Sequence, residues 1–105
     1  ESGGAEEWRE LPTTLRESLT ARLGRLGTAK EVAQLASVVG RSFSLTLLSA
    51  ISSQSLDDLE RDLRRLVQSG LVNRRGFGPQ TRYAFNHALV RDAAYDSLLR
   101  RERQQ

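Results

Sequence analysis

Several residue types are scarce in this 105-residue sequence, and each scarcity removes a class of function. There is no cysteine, which excludes disulfide frameworks, thiolate metal sites and cysteine nucleophiles. The only histidine is His87, so a histidine-rich metal site is excluded as well. No apolar run exceeds four residues, whereas a membrane-spanning helix needs about 20. These absences predict a cytoplasmic, metal-free domain that does not enter a membrane.

The charge balance alone does not indicate a nucleic-acid partner. Basic residues outnumber acidic ones by 16 to 13, a formal net charge of +3. All basic residues except Lys30 are arginines, and they are scattered from Arg9 to Arg103 among the acids. A nucleic-acid surface would instead concentrate them on one face or along one helix.

The length fits one small domain. Residues 1–10 contain Gly and Glu without an apolar period, which predicts a linker cut from a larger protein. Trp8 packs either on this domain or on the missing neighbouring part of that protein, and the sequence leaves both open. Residues 11–103 form the predicted domain, and residues 104–105 are predicted to belong to a truncated terminus.

Five helices are predicted from apolar residues spaced three and four apart. The residues suited to open them are, in chain order, Thr14 with Glu17, Thr28 with Glu31, Ser44, Ser55 and Asn86. The fourth helix has the clearest apolar stripe, formed by Leu56, Leu59, Leu63, Leu66 and Val67. Glycines at positions 27, 40 and 70 are placed to end the first, second and fourth helices.

A hairpin is predicted between the fourth and fifth helices. Two β-rich runs, 71–75 and 81–85, flank a segment with Gly and Pro at 76–80. Residues 41–43, between the second and third helices, are expected to be a simple link. The element order is therefore α-α-α-α-β-β-α, mainly α with a small β-hairpin. A helix-turn-helix followed by a hairpin wing predicts a winged helix-turn-helix fold.

No motif for catalysis is present. The sequence lacks phosphate-binding and dinucleotide-binding glycine loops, a zinc-protease motif, and a serine with a base and an orienting acid at a known spacing. The adjacent pair Asp57 and Asp58 lies in the first turn of the fourth helix, where acids favour the positive end of the dipole. We therefore predict no catalytic residues and no metal ligands, so this stretch is not an enzyme.

The fourth helix is the position of a recognition helix, but its charge is wrong for DNA. Its N-terminal half carries four acids, Asp57, Asp58, Glu60 and Asp62. Acids repel phosphates, and among base edges they accept only from cytosine. We expect Arg61, Arg64 and Arg65 to pair with these acids at three- and four-residue spacing. Examples of such pairs are Asp57 with Arg61, Asp58 with Arg61 and Asp62 with Arg65. The alternative, a DNA-binding winged helix, would use Arg64, Arg65, Arg74, Arg75 and Arg82.

His87 is the most informative residue for function. It follows the predicted cap Asn86, so its ring lies at the helix N-terminus, where free N–H groups and the dipole favour an anion such as phosphate. In the alternative reading, His87 donates to a backbone carbonyl or packs under the wing.

Three segments carry a resemblance to a known family: residues 11–15 (LPTTL), 36–43 (ASVVGRSF) and 85–99 (FNHALVRDAAYDSLL). They resemble the region that follows the nucleotide-binding module of bacterial STAND-class signal-transduction ATPases. The resemblance covers about residues 11–103. It is similar in particular to regulators fused to adenylate or guanylate cyclase domains, or to transcription-activator domains.

The resemblance implies that residues 11–103 are a regulatory winged helix that packs on the ATPase module. Residues 1–10 would then be the linker from that upstream module, and residues 104–105 would lead to helical repeats. His87 matches the histidine of the family's Met-His-Asp motif, which contacts the phosphates of bound ADP; Asn86 replaces its Met and Ala88 its Asp. It implies that the parent protein is an ATPase binding ADP or ATP with Mg, and that this domain holds no cofactor of its own.

Overall fold

The structure, a computed structural model, describes residues 13–103. The predicted linker over residues 1–10, including Trp8, and the terminus at 104–105 lie outside that range. The described elements follow one another as α1 (Thr13–Gly24), α2 (Thr28–Val39), β1 (Ser42–Ser44), α3 (Leu45–Ile51), α4 (Leu56–Gln68), β2 (Val72–Arg75), a 3₁₀ turn (Gly78–Gln80), β3 (Arg82–Phe85) and α5 (Ala88–Arg103). The prediction of a mainly helical domain with a small antiparallel sheet is confirmed.

The core lies between α2, α4 and α5, whose apolar faces follow the helical period. α2 packs against both α4 and α5. Its buried face consists of Ala29, Val32, Ala33 and Ala36, and α4 contributes Leu59, Leu63 and Leu66. None of the helices within residues 13–103 combines the length and apolar character needed to cross a membrane.

The sheet has one strand more than predicted. β3 is central and pairs antiparallel with β2 on one side and β1 on the other. The expected link at 41–43 is therefore wrong, because residues 42–44 form β1 and Phe43 pairs with Tyr83. Phe43 is 1% exposed, and its ring centroid lies 5.9 Å from that of Tyr83 and 5.6 Å from that of Phe85.

Two of the predicted helix caps are confirmed. The hydroxyl oxygen of Ser44 accepts from the Leu47 N–H at 3.0 Å, and that of Ser55 accepts from the Asp58 N–H at 3.2 Å. The cap at Thr28 is wrong, because α2 is preceded by Gly27, whose φ of 59° suits glycine, and no side chain caps it. The Thr28 hydroxyl instead donates across the fold to α4.

Candidate functional site

The junction between β3 and α5 carries both residues predicted to sense phosphate. Asn86 does not cap α5, which corrects the prediction. Its Nδ2 donates to the Gly70 carbonyl, and its Oδ1 accepts from Asn73 Nδ2 at 2.7 Å. Its backbone N–H donates to the Leu71 carbonyl at 3.0 Å. Asn86 therefore fastens the start of α5 to the chain entering the hairpin, and its side-chain amide is already occupied.

His87 caps α5 in place of Asn86. Its carbonyl accepts from the Val90 N–H at 3.0 Å, and its ring Nδ1 accepts from the Leu89 N–H at 3.1 Å. The ring is exposed rather than packed under the hairpin. Because Nδ1 accepts, the ring proton in this arrangement is on Nε2. Nε2–H has no hydrogen-bond acceptor within residues 13–103, so it faces solvent as a donor.

This geometry limits the hydrogen-bond donors that the N-terminus of α5 can offer an anion. The Leu89 N–H, one of the donors left free at a helix start, is taken by the histidine's own ring. The contribution of His87 is one directed N–H bond from Nε2, added to the dipole of α5. The start of α5 can therefore contribute a donor to an oxyanion, but it does not enclose one.

The four acids in the N-terminal half of α4 differ in their exposure to solvent. Asp57 and Asp58 are exposed, and Arg61 Nη1 lies 3.2 Å from Asp58 Oδ1, so that predicted ion pair is confirmed. The predicted pairs of Asp57 with Arg61 and of Asp62 with Arg65 are absent from the described part of the chain.

Asp62 is a buried carboxylate, and the sequence analysis missed this. It is 0% exposed; its Oδ1 accepts from Thr28 Oγ1 at 3.0 Å and its Oδ2 from Gln54 Nε2 at 2.9 Å. Arg61 Nε lies 3.7 Å from Oδ1. The available signal was its spacing, since position 62 lies three residues after the buried Leu59 and next to Leu63. Asp62 therefore connects α4 to the start of α2 and to the turn before α4.

The five arginines of the DNA-binding alternative do not share one surface. Arg64 and Arg74 line one cleft, which we call the hairpin cleft, of about 340 Å³, together with Glu60, Val67 and Tyr83. Arg75 of β2 is paired with Arg82 of β3, directly next to the pair of Arg74 and Tyr83. Because successive residues of a strand point to opposite faces, Arg75 and Arg82 face the other side of the sheet. The guanidinium of Arg65 lies next to Gly27, since its Nη1 is 3.8 Å from the position that a Cβ would take at that glycine.

Tyr83 forms the floor of the hairpin cleft. It is only 6% exposed, and its ring stacks on Phe43. Burial raises the pKa of its hydroxyl above the usual 10.0. The positive charges of Arg74 and Arg64 lower this pKa, whereas the negative charge of Glu60 raises it further. The phenol is therefore protonated near neutral pH and can donate a hydrogen bond.

A further cleft of about 580 Å³ lies where α1, α2 and the last turns of α5 meet. Gln34 Nε2 donates to Ser97 Oγ at 2.9 Å, and Arg101 Nη1 lies 3.4 Å from Gln34 Oε1, so its buried polar groups satisfy one another. Across residues 13–103, no three side chains of His, Asp or Glu are grouped so as to hold a metal ion.

Comparison with known proteins gives one informative match. No family model matches the chain. It is 36% identical over 87 residues to the uncharacterized protein R02095 of Rhizobium meliloti (strain 1021). The match covers 82% of this chain, whereas the chain spans only 8% of the length of that relative.

Proposed function

We propose that this chain is a non-catalytic, regulatory winged-helix domain of a cytoplasmic STAND-class signalling ATPase. It packs on an adjacent nucleotide-binding module and helps to hold that module in its ADP-bound off state. The observation that carries the proposal is the exposed ring of His87, whose Nδ1 is engaged by the backbone of α5 and whose Nε2–H faces outward.

The order of elements supports the winged-helix assignment. A helix, a short strand, two helices and a hairpin follow one another from α2 to β3, with the sheet order β1-β3-β2. In this arrangement α3 and α4 correspond to the helix-turn-helix and the hairpin to the wing. The match to a small part of a much longer relative supports a role as one domain among several.

The mechanism follows from one directed donor. Nε2–H of His87 would donate to a phosphate oxygen of ADP bound with Mg in the neighbouring module, and Asn86 fixes the backbone that carries the ring. The contact stabilises the closed state only while that phosphate is in place. A difference of about 1–3 kcal/mol between the two states changes nucleotide occupancy about 5- to 150-fold.

A partly uncovered apolar groove of about 410 Å³ supports the proposal of a second partner, which is a set of downstream helical repeats. Val38 and Ile51 are 56% and 47% exposed, and they line this groove with Leu35 and with Leu98 of α5. A repeat helix that follows α5 would cover these side chains. The effector domain would be a cyclase or a transcription-activator domain, and catalysis would reside in those other modules.

The test of the proposal is ADP retention by the full-length protein that contains this domain. We expect His87→Ala to release bound ADP about 5- to 150-fold more readily, because the donor is lost. His87→Gln, which keeps an N–H donor, should retain part of the effect. ADP retention is measured by dialysis and chromatography of the bound nucleotide. Unchanged retention in His87→Ala would remove the proposed role of the ring.

The second candidate, a DNA-binding winged helix, rests on Arg64 and Arg74, which lie together between α4 and the hairpin. We expect little duplex binding by this chain at any salt concentration, because Asp57 and Asp58 are exposed at the start of α4 and the other arginines lie apart. If all five arginines did contact phosphates, affinity should fall about 500-fold between about 50 and 200 mM salt. Fluorescence anisotropy with a labelled duplex at those two concentrations distinguishes the candidates.

A further inference from the structure

We propose that the hairpin cleft binds the carboxylate of an acidic side chain on a protein partner. Arg64 of α4 and Arg74 of β2 supply guanidinium donors, and Tyr83 of β3 supplies its hydroxyl. Tyr83 lies near the start of β3, whereas His87 follows its end, so this is a second site and it does not depend on the role of His87.

The three donors of the cleft have no acceptor within residues 13–103. Tyr83 is 6% exposed, and its hydroxyl has no hydrogen-bond partner among the described residues. Arg64 forms no ion pair there, and Arg74 contacts only the face of Phe77, at 5.6 Å. By contrast, Arg61 and Arg100 each have a carboxylate oxygen 3.2 Å away.

The charge of the cleft fits a singly charged oxyanion. Arg64 and Arg74 contribute two positive charges and Glu60 one negative charge, which leaves a net charge of +1. A carboxylate balances that charge and matches the planar fork of a guanidinium. A phosphate dianion would be repelled by Glu60 and would leave the site with excess negative charge.

The surface next to the hairpin cleft favours a protein partner. Glu60 and Arg74 also line an adjoining groove of about 340 Å³, which includes Leu45 and Leu56. Leu56 is 52% exposed, so this groove offers apolar contact beside the charged site. A peptide segment carries an acidic and an apolar side chain close together, whereas a nucleic-acid backbone has no apolar group to place there.

The experiment titrates this chain with sodium acetate, using sodium chloride at equal ionic strength as the reference. NMR signals of the Tyr83 ring and of the arginine Nε–H groups report binding. We expect saturable shifts at Arg64, Arg74 and Tyr83 with acetate only. Tyr83→Phe keeps the ring that stacks on Phe43 and removes the hydroxyl, and should weaken acetate binding about 5- to 10-fold.

Charge variants supply the controls. Arg64→Gln should weaken acetate binding about 10-fold, whereas Arg65→Gln, an equal loss of charge on the same helix but outside the cleft, should leave it unchanged. Glu60→Gln should strengthen acetate binding about 3- to 10-fold and also admit inorganic phosphate. Equal shifts with acetate and chloride, equal weakening in Arg64→Gln and Arg65→Gln, or displacement of acetate by a DNA duplex would each overturn the proposal.

Discussion

Replacing Asp62 with alanine is expected to lower the free energy of unfolding by about 2–4 kcal/mol. Asp62 is 0% exposed, and its oxygens accept from Thr28 at 3.0 Å and from Gln54 at 2.9 Å. Alanine leaves the donors of Thr28 and Gln54 without this acceptor. Small domains have only about 5–15 kcal/mol of stability, so the urea midpoint followed by circular dichroism should fall clearly.

The matched control for Asp62 is Asp57→Ala, in the exposed first turn of the same helix. That variant loses only a favourable interaction with the helix dipole, so we expect a decrease below about 1 kcal/mol. Asp62→Asn keeps the shape and one acceptor oxygen and should fall between the two alanine variants. Equal losses in Asp57→Ala and Asp62→Ala would contradict the structural role assigned to Asp62.

The helices were predictable because their signals are local. α4 shows an apolar stripe at three- and four-residue spacing, and its leucines at 59, 63 and 66 are all buried. Ser44 and Ser55 cap the helices predicted for them because each needs only a backbone N–H three residues ahead. Such signals need no knowledge of how distant segments pack.

The errors share a different origin, since each depends on contacts between distant residues. Three residues around Phe43 have no period of their own and become β1 only by pairing with β3, about 40 residues later. Thr28 has the local pattern of a cap, yet its hydroxyl is drawn to Asp62, 34 residues away. Packing across the fold therefore overrides the local preference at both positions.

The candidate site was predictable in place but not in detail. Its position at the start of α5 follows from the order of hairpin and helix. Which of Asn86 and His87 caps the helix depends on Gly70 and Asn73, because Asn86 is drawn to those two residues and leaves the cap to His87. The direction of the imidazole donor follows from that competition.

The hairpin cleft depends on the same distant packing. Arg64 and Arg74 are separated by ten positions, and the packing of β2 against α4, together with the pairing of β2 with β3, brings them beside Tyr83. The Tyr83 ring is in turn supported by Phe43 from β1. The strand that the sequence did not predict therefore supports the floor of the second site.

Phe43→Ala is accordingly expected to have the largest effect on stability, a loss of about 3–5 kcal/mol. Phe43 is 1% exposed, and its removal leaves a cavity beside the rings of Tyr83 and Phe85. Phe77→Ala is the matched control, because Phe77 is 84% exposed and the same atoms are removed at the surface. We expect that control to stay within about 0.5 kcal/mol of the parent chain.

Urea unfolding of both variants measures the difference, and Phe43→Leu, which fills most of the cavity, should recover more than half of the loss. The aromatic signals of Tyr83 should shift strongly in Phe43→Ala and much less in Phe77→Ala, since Phe43 stacks on that ring whereas Phe77 contacts Arg74. If Phe43→Ala unfolded at the same urea concentration as Phe77→Ala, β1 would have to be a peripheral strand that contributes nothing to the core. The support that it provides to Tyr83, and through Tyr83 to the hairpin cleft, would then be refuted as well.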